Sequence, residues 1–173
     1  MNVEVTPDFG AQDLPDAGGE ERLSVALIGP DERRRRLLAT AITNLQLAKV
    51  REFRSYPKAA DDLQWLLGQS YDVIILDLDD DQDATLDLVQ RIGADGSATV
   101  MVYSEKADQK LAVRIMRAGA REYLLLPLEE GVVAEALARV ANSPRSKISP
   151  TAKGKTLGSL HVFLGANLRS KPP

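Results

Sequence analysis

The chain contains no cysteine. Disulfides, thiolate metal sites and cysteine nucleophiles are thereby excluded, and the composition fits a reducing compartment. Histidine is nearly absent too: His161 is the only one and lies near the end of the chain. A Ser-His-Asp triad would have to recruit it from a tail, so that chemistry is set aside. No stretch approaches the ~20 consecutive apolar residues that a membrane-spanning helix requires. The first 21 residues hold six acids and neither a basic residue nor an apolar run, so they are no signal peptide. Charge of one sign does not dominate: 22 Lys and Arg face 25 Asp and Glu, a net −3, which gives no bulk attraction to nucleic acid or a membrane surface.

What is present is a soluble globular composition, 44% hydrophobic and 27% charged over 173 residues, enough for one core plus tails. Residues 1–21, acidic and rich in Gly and Pro, read as a disordered leader. The ordered domain is expected over residues 22–142, a Ser/Pro/Lys-rich linker over 143–159, and a loose tail or truncated second domain over 160–173.

Within the domain, short apolar runs alternate with helical periodicity. Leu23–Ile28 reads as a buried strand ending at Gly29-Pro30, followed by a helix capped by Asp31 with Leu37, Leu38, Ala41, Ile42 and Leu45 at helical spacing. A strand near Val50–Tyr56 and a helix from Pro57 to about Gln69 come next. Val73–Leu78 is the clearest central strand. Thr85–Ile92, stopped by Gly93, reads as a helix and Thr99–Tyr103 as a strand. Lys106–Ala118 is a helix ended by Gly119, Tyr123–Leu126 a last strand, and Glu129–Ala141 a final helix. Five strands alternating with five helices predict an α/β fold: a five-stranded parallel, doubly wound sheet with helices on both faces. Function in such sheets sits beyond the carboxyl ends of the strands, which singles out Gly29–Asp31, Asp77–Asp81, Ser104–Lys106 and Leu126–Leu128.

Several patterns carry less than they promise. Asp77, Asp79, Asp81 and Asp83 imitate a calcium loop, but its glycine position is Gln82 and its closing glutamate position is Leu88. Gly154-Lys155-Thr156 imitates the end of a phosphate-binding loop, yet the glycine needed five positions earlier is Ser149. Arg33–Arg36 would spread around most of a helix circumference and reads as a solvated face with snorkelling stems. Trp65 reads as packing.

Tyr71–Leu78 resembles the third strand of response-regulator (CheY-like) receiver domains, which ends in a phospho-accepting aspartate. Ala98–Ser104 resembles their fourth, ending in a switch Ser or Thr, and Ala118–Pro127 is similar to the signature around their fifth. The resemblance spans Leu23–Val140. It implies Asp77 as phospho-acceptor, Ser104 and Tyr123 as switch residues, and a Mg²⁺ site. It also implies partners that are proteins: a histidine kinase, or a second copy docked through the Lys106–Ala118 helix, the last strand and the final helix, where Val113, Ile115, Met116, Val132 and Val133 supply apolar side chains.

The departures point to an atypical, pseudo-receiver. The acid pair that holds the cation is Gly29-Pro30 here, leaving Asp31 with Asp77 as a weak metal pair, and the lysine before the last proline is Leu126. A flavodoxin-like nucleotide or flavin site would need a phosphate cradle where Gly29-Pro30-Asp31-Glu32 stands, so it is set aside. The domain order, with Leu160–Ala166 as one more strand ending in Gly-Ala, resembles the TadZ/CpaE family of pilus-assembly proteins. Asn167–Pro173 does not match the glycine-rich loop of that family's ATPase, so no ATPase activity is expected. The sequence thus reads as a cytoplasmic signalling or interaction module, not an enzyme; the alternative is a working phosphorelay receiver.

Overall fold

The computed structural model describes residues 11–13, 22–129 and 131–143. In chain order the elements are β1 (Ala11–Asp13), β2 (Leu23–Ile28), α1 (Glu32–Asn44), β3 (Ala48–Phe53), α2 (Ala60–Gly68), β4 (Val73–Asp77), α3 (Gln82–Asp95), β5 (Thr99–Ser104), α4 (Gln109–Ala118), β6 (Glu122–Leu125) and α5 (Val132–Ala141). The sheet runs β1-β3-β2-β4-β5-β6. Its five parallel strands are those expected from the sequence. The sixth, β1, pairs antiparallel with the outer edge of β3, in a segment where no element was expected. Leu160–Ala166 and the linker assigned from Ser143 onward fall, beyond Ser143 itself, outside the described residues.

Alternation along the strands divides the core in two. Val25, Leu27, Val73, Ile75, Met101 and Tyr103 point to the face covered by α1 and α5, through Leu38, Ala39, Ile42, Val133, Ala136 and Leu137. Ala26, Ile28, Ile74, Leu76, Val100 and Val102 point to the other, covered by α2, α3 and α4. Phe53 closes that second layer with Trp65 and Tyr71, each edge-on at 6.2 Å between ring centroids.

Caps and glycines set the helix limits. Asp31, Asp81 and Asp108 each accept a backbone N–H three residues on, opening α1, α3 and α4. Gly93 does not stop α3. The helix continues to Asp95 and ends on Gly96 in the left-handed region, φ 71°. Gly93 lies within the helix opposite the end of α4, where a Cβ would stand at an ordinary contact distance, 3.6 Å, from the Gly119 Cα.

The chain leaves β2 for β3 on one side and returns to β4 on the other, so the carboxyl ends of β2 and β4 form the switch point of the sheet, where Gly29 and Asp77 sit.

Candidate functional site

Asp77 ends β4 on the α1 side of the sheet, beside Tyr103 of β5, and is fully buried. A buried carboxylate must be paired or bonded, and Asp77 is both. Its Oδ1 accepts the Asp79 N–H at 2.9 Å. Its Oδ2 accepts from the Arg34 guanidinium, with Nε and Nη2 each at 3.0 Å. Tyr56 and Thr85 hydroxyls donate to its backbone carbonyl, both at 2.8 Å.

Arg34 is the residue that sequence reading missed. Arg33–Arg36 was expected to be a solvated face; the structure instead sends two of the four inward. Arg35 is 3% exposed and bonds Glu52 at 3.0 Å and the Gly29 carbonyl. Arg34, 13% exposed, faces Asp77, with Asp31 at 3.6 Å, Glu105 at 3.8 Å and Asp79 at 4.0 Å. The helix phase explains this. Arg34, Leu38 and Ile42 recur every four residues, so the stripe that buries Leu38 and Ile42 carries Arg34 toward the sheet end. Arg33 closes the rim through an ion pair with Glu105.

The charges in this pair are unequally placed. Burial pushes the Asp77 carboxyl above its ordinary value, and the Asp79 amide and Arg34 pull it only partly back. Burial also disfavours charge on Arg34, but Asp77, Asp31 and Asp79 together outweigh it and hold the guanidinium more firmly charged. The two directions are compatible, because Arg34 shares several carboxylates while Asp77, fully buried, has lost the solvent that would stabilise its charge. Asp31 is held below the usual carboxylate range, first by the Arg34 backbone N–H that it caps.

The sequence assigned Asp31 and Asp77 as a metal pair. Both carboxylates are engaged by Arg34, and no cluster of three metal-ligating side chains occurs among the described residues. The neighbouring position is closed as well. A Cβ on Gly29 would overlap the Tyr103 hydroxyl and stand 2.7 Å from the Asp77 Cβ, so no side chain fits there. These residues do not fit a divalent cation: a guanidinium occupies the carboxylate oxygen that a cation would need. Leu126, where receivers carry lysine, is a buried core residue.

Ser104 and Tyr123 are linked through Lys106, in the loop that follows β5. The Ser104 hydroxyl donates to Asp79 Oδ1 at 2.5 Å, and the Glu105 N–H to Asp79 Oδ2 at 2.7 Å. The Lys106 N–H donates to Ser104 Oγ at 2.9 Å, and the Tyr123 hydroxyl to the Lys106 carbonyl at 2.7 Å. Away from the site, Ile115 and Val133 are buried, whereas Val113, Met116, Leu125 and Val132 are 39–45% exposed across α4, β6 and α5.

No curated protein matches the chain. Among solved structures, a candidate pilus assembly protein (cpaE) from Burkholderia thailandensis E264 is 24% identical, with TM-score 0.62, covering 70% of this chain and 99% of that one. A candidate pilus assembly-related protein from Burkholderia pseudomallei K96243 is 19% identical, with TM-score 0.62, covering 73% and 95%. A response regulator from Thermotoga maritima is 18% identical, with TM-score 0.60, covering 70% and 99%. At these identities the likeness is one of fold. The response regulator receiver domain matches residues 25–138, two thirds of the chain, over the same β2–α5 span that carries Asp77, Ser104 and Tyr123. The chain belongs to the response regulator receiver domain family.

Proposed function

We propose that this receiver acts as a phosphorylation-independent protein-interaction module, cytoplasmic and non-enzymatic, docking through the α4–β6–α5 face. The observation that carries the reading is the Arg34–Asp77 pair, in which the candidate phospho-acceptor has a guanidinium on its Oδ2. Transfer to a carboxylate brings together negative oxygens and needs preorganised positive charge around the incoming group. Here the positive charge lies on one oxygen of the carboxylate while the other accepts the Asp79 amide, the lysine position is a core leucine, and the volume at Gly29 is taken by Tyr103. A role in pilus assembly is part of the proposal and follows the descriptions of the two Burkholderia structures; dimerisation or localisation is the form we propose for it.

The test is intact-protein mass spectrometry of the full chain after incubation with acetyl phosphate and Mg²⁺, beside Asp77→Ala. No mass gain in the folded protein is expected. A gain of one phosphoryl group that disappears in Asp77→Ala overturns the reading. It would favour instead the second one, a phosphorelay receiver whose Asp77 accepts a phosphoryl group, with a histidine kinase as the donor still to be tested; the shared location of Asp77 and Ser104 at the sheet's carboxyl end is what supports that reading.

A further inference from the structure

Asp79, two residues past β4, has a side chain only 4% exposed, yet it is neither a helix cap nor a core residue. Its two oxygens are held by separate donors on the loop after β5. Oδ1 takes the Ser104 hydroxyl and Oδ2 the Glu105 amide. The Arg34 guanidinium stands 4.0 Å from Oδ2. A hydroxyl and the next residue's N–H converging beside a guanidinium form a cradle for an anion, and charge-assisted bonds of this kind are roughly twice as strong as neutral ones.

We infer that Asp79 is a resident anion that fixes the β5–α4 loop in one state, so that Ser104 and Tyr123 do not respond to events at Asp77. A hydroxyl has one proton to donate, and of the two acceptors within reach of Ser104, Asp79 Oδ1 at 2.5 Å and the Lys106 carbonyl at 3.3 Å, the charged and nearer Asp79 takes it. The bonds then run on without a break: the Lys106 N–H to Ser104 Oγ, and the Tyr123 hydroxyl to the Lys106 carbonyl. Tyr123 packs against the core beneath the α4–β6 face, so the docking surface is tied to a carboxylate that is part of the chain. This rests on the phosphorylation-independent reading and says how that module keeps a constant surface.

Amide hydrogen exchange by NMR on the full chain tests it, with Asp79→Asn compared with Asp80→Asn, the exposed neighbour. Glu105 is expected to exchange on the order of tenfold faster in Asp79→Asn, with the Tyr123 ring resonances displaced. Asp80→Asn should leave both unchanged. Exchange at Glu105 within about twofold of wild type in Asp79→Asn overturns the inference. Should Asp79→Asn not fold, the wild-type protein still decides: Glu105 exchanging at the rate of an unstructured amide overturns it, and protection there supports it. Phosphorylation of the wild-type chain would sink the underlying reading while leaving the exchange result standing, and unchanged exchange would sink only the role of Asp79.

Discussion

Gly29 and Tyr103 occupy one volume between them. The tyrosine hydroxyl reaches over Asp77 into the space that any side chain at position 29 would fill. That hydroxyl is buried with no hydrogen-bond partner among the described residues, and burial holds its proton on well above the ordinary tyrosine range. An unpaired buried hydroxyl costs about 1–3 kcal/mol, so the arrangement is retained against a penalty. Gly29→Asp should therefore destabilise the chain by about 2 kcal/mol through overpacking and a second carboxylate beside Asp77. Adding Tyr103→Val removes the overlap with the hydroxyl, though not the approach to the Asp77 Cβ, and a double-mutant cycle in urea should show a favourable coupling of about 1 kcal/mol or more. Additive effects would mean that the two residues do not share the space. Asp77 and Ser104 were legible in the sequence because each ends an apolar strand run. The Gly29–Tyr103 pairing was not, because it joins positions on strands separated by β4, and no local pattern links them. Arg34 was half legible: its spacing to Leu38 and Ile42 carried the signal, and the run of four arginines hid it.

At the scale of elements, α4 shows how far periodicity reaches. Leu111 and Ile115 turn inward, four apart, and leave Val113 and Met116 on the outer side at 45% and 44% exposure. With Leu125 and Val132 they put four large, exposed apolar side chains on α4, β6 and α5. Which apolar residues of α4 face inward follows from the sequence; whether the remainder is covered by a partner does not. If this face docks a second copy, Val113→Glu combined with Met116→Glu should convert a dimer at micromolar concentration into a monomer in light scattering. The melting temperature of that monomer should be little changed, since neither residue is in the core. A wild-type chain that is already strictly monomeric would remove dimerisation from the proposal. α3 illustrates the reverse limit. Gly93 reads as a stop, but a glycine inside a helix costs only about 1 kcal/mol, and the burial of Leu88, Val89 and Ile92 along α3 outweighs that.

For the whole molecule, the parallel sheet with helices on both faces was readable because short apolar runs alternate with helical stripes along the chain; the order of the strands was not read from the sequence. Nor was β1, since three residues held by backbone pairing along an edge leave no periodic trace. The buried pair at the switch point also gives the molecule a pH signature. The Asp77 carboxyl is raised above its ordinary value of 3.8, chiefly by burial, so the folded chain holds that proton more tightly than the unfolded one. The stability this contributes is fully present below 3.8 and is lost as pH rises through the raised value. Asp31 is shifted the opposite way, and its contribution is lost as pH falls below the ordinary range. Both act in one protein, so the wild-type curve alone cannot separate them. Comparison with Asp77→Asn can, because Asp31 is common to both chains and Arg34 stays charged throughout. The asparagine leaves Arg34 short of one partner, a constant offset across the window, while removing the group whose ionisation burial opposes. The melting temperature of Asp77→Asn relative to wild type should therefore rise between pH 4 and pH 7, by about 2–4 °C for each kcal/mol of penalty relieved. A flat difference would mean that Arg34 cancels the burial of Asp77 in full. A falling one would mean that the ion pair stabilises the fold more than desolvation opposes it, and that Asp77 is kept as a structural partner of Arg34.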